Sequence, residues 1–311
     1  AQRSYGNPTR MADPLLTWLD RGDCLEPALV GGKGANLCRL AATHPVPPAF
    51  CLTVAAYDLW ANAQPETAPD HFPDELYAQL SVAYADLSEH LGLAEPGVAV
   101  RSSAADEDGA TSSFAGLHET YLNIIGCEAV ARAVVNCWAS ARSPRALAYR
   151  RRGGLTVDQI RMAVVVQQLV PADVSIVAFS AHPVTGERGE ILINATWGLG
   201  ESLVSGTVTP DTYVINKAGL AVQSRHIGAK QMMTVLAPGG TAEVPVPAAQ
   251  QSQSSLSNAQ LAEVARLALA LREALDHALD LGGPRPHEAQ ERGDLLGREL
   301  DGGEAAGHAD A

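Results

Sequence analysis

The sequence predicts an α+β fold, and three observations carry that reading. Apolar positions recur at helical spacing over residues 73–92 and again after Ser257. The β-branched run Ile160–Gln167 reads instead as a buried strand. The segments Thr212–Ile215 and Leu220–His226 flank Asn216-Lys217-Ala218-Gly219 as a hairpin would.

Taken in order, residues 1–13 read as a loose leader without the apolar stretch of a signal peptide. Residues 14–60 mix short apolar segments with a glycine-rich loop and the turn Pro45-Val46-Pro47-Pro48. Leu76, Leu80, Ala83, Tyr84, Leu87 and Leu91 define one helical face, and Gly92 and Pro96 stop that helix. Val98-Ala99-Val100 reads as a strand whose end opens at Arg101 into a polar loop. Residues 129–151 read as helix, interrupted near Ser143-Pro144. Val174–Ser180 and Glu190–Asn194 read as strands, and 237–255, rich in Pro, Gly, Gln and Ser, as loop. Ser257-Asn258-Ala259-Gln260 is a capping signal for a helix from Leu261 to about Leu281. From Pro284 to Ala311 apolar periodicity ceases, and this tail reads as poorly ordered.

The apolar fraction of 46% supplies a sizeable core. A formal net charge of −13 argues against nonspecific binding to nucleic acid or anionic membranes. The five cysteines (Cys24, Cys38, Cys51, Cys127, Cys137) are odd in number and scattered. They argue against a disulfide framework or zinc site and for a reducing cytoplasm.

Gly31-Gly32-Lys33-Gly34-Ala35-Asn36-Leu37 offers backbone N–H groups, a helix start and an ammonium, the parts of a phosphate cradle. It lacks the spacing of a Walker A loop, and a plain turn with a surface lysine is the alternative. Arg101 stands before Ser102-Ser103-Ala104-Ala105-Asp106-Glu107-Asp108, where a guanidinium can grip a phosphate with two parallel hydrogen bonds. Alternatively it pairs with Asp106, Glu107 or Asp108, carboxylates that could also bind a metal. Gln167-Gln168-Leu169-Val170-Pro171 is either a hinge that receives an adenine edge or a strand ending at a proline. Trp197–Gly206 is either a phosphate-closing loop or a surface loop. His182 has no partner at catalytic spacing and reads as a turn histidine.

Together and in this order, these segments resemble the N-terminal nucleotide-binding domain of the phosphoenolpyruvate synthase and pyruvate phosphate dikinase family, which rifampin phosphotransferases share. The resemblance rests on Val30–Leu37, Pro47-Pro48-Ala49-Phe50, Arg101–Asn123, Val166–Val170, Phe179–Gly189, Asn194–Gly206, Thr209–Tyr213 and Ile227-Gly228-Ala229-Lys230. It covers roughly residues 14–283 and implies an ATP-grasp-type fold, with lobes of about 14–155 and 156–283 around a nucleotide cleft. It implies that Lys33 contacts the nucleotide phosphates and that Arg101 holds the transferring phosphoryl group. Gly116 and Thr120 would line the phosphate loop, Gln167 and the backbone at Leu169 would meet adenine, and Lys230 would join the cofactor site. The implied cofactors are ATP and Mg2+.

The family passes its phosphoryl group to a histidine on a separate carrier domain, and from there to pyruvate or rifampin. Residues 284–311 leave no room for that domain, so the carrier would act in trans or be lost from the chain. The family's closing motifs, which supply a metal-binding acid and a phosphate-binding arginine, are replaced here by Pro284–Gln290. Within it only Glu288 aligns with the metal glutamate. A truncation or frameshift near Gly283 is the expectation. Three functions follow: an ATP-binding fragment of a phosphotransferase, a non-catalytic nucleotide- or partner-binding module, or a nonfunctional product.

Overall fold

A computed structural model describes residues 13–63, 71–104, 119–144, 146–148 and 160–280 of the chain. The chain forms two compact units, Ala1–Leu169 and Val170–Ala311, each mixing helix and sheet. No helix among the described residues is long and apolar enough to cross a membrane. Residues 1–12 of the expected leader over 1–13, and the whole tail over 284–311, lie outside the described residues.

The first unit is built on an antiparallel sheet of β1 (Leu16–Trp18), β2 (Ala49–Leu52), β3 (Val98–Ala104), β4 (Thr120–Ile124) and β5 (Met162–Gln168), in spatial order β1-β2-β5-β3-β4. Helix α1 (Pro27–Ala41) covers one face, while α2 (Val54–Asn62), α3 (Asp74–Leu91) and α4 (Cys127–Ser140) contribute to the core on the other. β5 shows why its sequence is apolar throughout: alternate residues point to opposite faces, and both are covered. Met162, Val164 and Val166 enter the larger core with Phe50 and Trp138. Ala163 and Val165 enter the smaller core beneath α1 with Val30, Ala35 and Cys38. Because β5 is the central strand, residues 162–168 stay with the first unit, whereas the sequence alone suggests a lobe boundary near 155.

α3 buries Leu76, Leu80, Ala83, Tyr84 and Leu87, carries Asp74 and Glu75 in its first turn, and ends at Gly92 in the left-handed conformation. Strand β3 runs on through Ala104, so Arg101 is a strand residue and not the start of the loop. The reason is pairing: Arg101, Ser102, Ser103 and Ala104 all sit opposite β5 residues.

The cysteine expectation is corrected. Cys24, in the 3-10 turn Gly22–Leu25, is disulfide-bonded to Cys38 of α1. That turn lies against α1 and brings the two Cα atoms to 5.9 Å, within bridging range. The cysteine argument for a reducing compartment is thereby removed.

The second unit holds an antiparallel sheet of β6 (Val174–Phe179), β7 (Glu190–Trp197), β8 (Asp211–Asn216) and β9 (Val222–His226), in sequence order. Helix α5 (Asn258–Asp280) packs Leu261 and Ala265 onto Ile191, Ile193, Tyr213 and Ile215. Its capping box forms as the sequence predicts: Gln260 N–H donates to Ser257 Oγ at 3.3 Å, and Ser257 N–H donates to Gln260 Oε1 at 2.9 Å. The segment read as loop from 237 is instead part of a hairpin, β10 (Met232–Ala237) and β11 (Gly240–Pro245). Pro238-Gly239 makes its two-residue turn, with Gly239 at φ 75°.

Candidate functional site

Strand β3 sets the centre of the site. Arg101 and Ser103 are two residues apart and project from one face, the face α1 covers. Their β5 partners, Val165 and Ala163, belong to the core beneath α1. Across the other ladder Arg101 is paired with Thr120, the first residue of the edge strand β4. Arg101 is half-buried, and among the described residues its guanidinium has no hydrogen bond or ion pair.

Lys33 is carried on α1, and this helix is broken. Gly31 takes φ 72° and ψ 172°, so the glycine-rich segment is a break within a helix and not a turn leading into one. In an unbroken helix the Gly34 N–H would donate to the Val30 carbonyl. Here the Ser103 hydroxyl stands between those two groups. It accepts from Gly34 N–H at 3.1 Å and donates to the Val30 carbonyl at 2.8 Å. A β-carbon on Gly31 would lie 2.2 Å from the Ser103 carbonyl oxygen, so glycine is needed for the approach as well as for the φ angle. The break makes Gly32 the start of a second helical segment and places Lys33 in its first turn, where N–H groups lack helical acceptors.

Lys33 also lies within electrostatic reach of Cys137 on α4. Burial pushes the Cys137 thiol up to about 12, with Glu119 adding to the rise and the Lys33 ammonium opposing it. Glu119 directly precedes Thr120, and its carbonyl accepts from Ser102 N–H at 3.3 Å. The structure therefore brings Arg101, Thr120 and the Lys33 loop together on the α1 side of one sheet.

Gln167 lies on the same face, opposite Ala99 and two positions from Val165, about 7 Å along the strand. It is 8% exposed, and its amide donates to the Pro47 carbonyl at 3.1 Å. The Leu169 N–H donates to the Gly97 carbonyl at 3.0 Å. The Leu169 N–H and one of the two Gln167 amide N–H bonds are thus committed within the unit. A hollow of about 430 Å³ is lined by Pro47 together with Trp18, Arg21, Pro48, Asp86 and His90 among others. None of the residues lining it is a predicted site residue.

Lys230, expected in the cofactor site, lies on the second unit. In the second unit it is fully buried and ion-paired with Asp211, and it donates to the Gly228 carbonyl at 3.0 Å. Asp211 is equally buried and also accepts from Gly228 N–H at 3.0 Å, Tyr213 Oη at 3.1 Å, and Ser255 N–H and Oγ at 2.7 Å each. Burial raises the Asp211 pKa, but the hydrogen bonds from Lys230 and Ser255 outweigh it and hold the carboxyl below its ordinary value. The pair welds Ile227–Lys230 to Thr209–Tyr213, and Gly228 permits it, since a β-carbon there would stand 2.2 Å from the Thr209 carbonyl oxygen.

Gly116, Glu288 and the carboxylates Asp106, Glu107 and Asp108 lie outside the described residues. Among the described residues no group of three or more His, Cys, Asp or Glu could hold a metal ion. His182 caps its own turn, accepting from Val184 and Thr185 N–H at 3.3 Å each. The Trp197–Gly206 loop is anchored at its start: Gly198 takes φ 75° against the Thr234 carbonyl, which accepts from Leu199 N–H at 2.8 Å. Ser103 and Asp211 are the residues that sequence reasoning misses. Ser103 is detectable as the same-face neighbour of Arg101, whereas nothing local marks Asp211 as the partner of Lys230.

Comparison with known proteins places this geometry in context. Residues 61–281 match the pyruvate phosphate dikinase AMP/ATP-binding domain, a span that includes Arg101, Thr120, Gln167 and Lys230 but not Lys33. The chain is 33% identical to the phosphoenolpyruvate synthase of Pyrococcus furiosus, over 83% of this chain and 40% of the relative. It is 38% identical to the rifampicin phosphotransferase of Streptomyces sviceus, over 77% of this chain and 30% of the relative. It is also 38% identical to the prodigiosin synthesizing transferase PigC of Serratia marcescens, over 88% of this chain and 31% of the relative. The chain thus spans two fifths or less of the length of each of these relatives.

Proposed function

The chain belongs to the family of the pyruvate phosphate dikinase AMP/ATP-binding domain, and on that premise we propose that it binds ATP between two ATP-grasp-type lobes for phosphoryl transfer. The observation that carries this reading is the Arg101–Thr120 rung beside the Lys33 loop, with a guanidinium at its centre that has no partner among the described residues. Phosphoryl transfer asks a protein chiefly for placement and charge neutralisation. Lys33 and the N–H groups of Gly32 and Lys33 hold the phosphate chain from the α1 side. Arg101 grips the transferring group with two parallel hydrogen bonds and neutralises the charge that builds in flight. The Thr120 hydroxyl, directly across from Arg101, donates to the same group.

The adenine meets the end of β5. With one Gln167 amide N–H given to Pro47 and the Leu169 N–H to Gly97, the atoms left to receive the adenine amino group are acceptors, the Leu169 carbonyl and Gln167 Oε1. Lys230 supports the second lobe through Asp211 and does not touch the phosphates. The described residues supply no acidic set for Mg2+ and Glu288 lies outside them, so no step here runs through the ion.

The acceptor is a histidine on a carrier domain, which passes the group to pyruvate. Rifampin is the second reading, favoured by the likeness to the Streptomyces enzyme. Titration with MgATP tests the binding and phosphorylation of an added histidine carrier domain the transfer. Binding with ATP-dependent transfer supports the proposal. Binding without transfer to any carrier favours a non-catalytic module, and a folded chain that does not bind ATP overturns the reading.

A further inference from the structure

We infer that Ser103 is a positioning residue for ATP, a latch that fixes the Lys33 loop to the Arg101 strand. The inference rests on the ATP-binding reading above and adds a residue to that site. Three observations carry it. First, the Ser103 hydroxyl occupies the gap between the Gly34 N–H and the Val30 carbonyl, the two groups an intact helix would join directly. A side chain inserted into the helical ladder holds the break open and gives both groups a partner. Second, Ser103 is fully buried, so no water competes for either bond and their geometry fixes the loop. Third, Ser103 projects from the same strand and face as Arg101, two residues away.

These facts have a functional consequence because the two cations come from elements far apart in sequence. Lys33 rides on α1 and Arg101 on β3, and their placement must be right to well under an ångström to grip one phosphate chain. Ser103 spans that join. Removing its hydroxyl leaves the Gly34 N–H and the Val30 carbonyl without their partner across the break. The loop then loosens, and Lys33 is no longer held in place beside Arg101. Gly31 serves the same device from the other side, since any β-carbon there pushes the Ser103 backbone away.

The test is Ser103→Ala in the full chain, with Ser103→Cys as a volume-conserving second variant. Two measurements are needed: hydrogen exchange across residues 30–36 without nucleotide, and affinities for MgATP and for adenosine. The latch predicts faster exchange of the Gly34 amide, ATP binding weakened about tenfold, the effect of one buried hydrogen bond, and adenosine binding within twofold of wild type. Ser103→Cys falls between. Unchanged exchange, or equal losses for ATP and adenosine, overturns the positioning role. A wild-type chain that is folded yet binds neither ligand overturns the ATP-binding reading itself, and the two failures are thus distinguishable.

Discussion

Lys230→Met separates two roles for a lysine that the family resemblance assigns to the cofactor site and the structure encloses in the second unit. The substitution keeps the length and apolar stem of the side chain and removes the ammonium. The Asp211 carboxylate is left buried, still accepting from Gly228, Tyr213 and Ser255 but without a cation. Removing one partner of a buried ion pair costs about 3–5 kcal/mol. The neutral donors that remain put the expected loss near the lower end, about 3 kcal/mol. Domains are stable by only about 5–15 kcal/mol, so this is a large fraction of the whole. With urea slopes of about 1–3 kcal/mol/M, the midpoint falls by about 1–3 M. Urea unfolding followed by circular dichroism reads this directly, and Asp211→Asn with the double variant completes a cycle for the pair's coupling. An unchanged midpoint together with weakened ATP binding would refute the structural role and return Lys230 to the ligand.

Two further predictions concern stability. Because Asp211 has a folded pKa held below its unfolded value of about 3.9, its stabilisation is complete above that value and is lost as pH falls through the lower folded value. Acid titration of wild type against Asp211→Asn should show the extra loss of stability below about pH 4 in wild type alone, and parallel acid limbs would contradict it. The Cys24–Cys38 bond closes a short loop that contains the Gly31 break, and its reduction should cost about 3 kcal/mol. Unfolding with and without dithiothreitol measures this, with Cys24→Ser/Cys38→Ser as the variant in which reductant has no effect.

The elements legible in the sequence are those whose signals are local. The α3 face, its stop at Gly92, the Ser257–Gln260 capping box and the two-sided burial of β5 all follow from spacing within a few residues. The start of the strand that carries Arg101, Val98–Val100, was legible for the same reason. What escaped depends on contacts distant in sequence. The Gly31 break needs Ser103, 73 residues from the Val30 carbonyl it bonds. The continuation of β3 past Arg101 needs β5, and the burial of Lys230 needs Asp211 and Ser255. The β10–β11 hairpin hid behind a composition of Pro and Gly that also describes loops, although Pro238-Gly239 is itself a turn signal.

The central claim is that Arg101 acts on the phosphoryl group as it moves, beside a Lys33 loop that holds the nucleotide. Arg101→Ala tests it most directly, through MgATP affinity measured alongside ATP-dependent phosphorylation of a separately supplied histidine carrier domain. Removal of a group that acts in the transition state lowers transfer far more than binding. The prediction is a fall in transfer of about a hundredfold or more, the scale of one lost charge-stabilising group, with ATP affinity within a few-fold of wild type. Equal losses in both would contradict it.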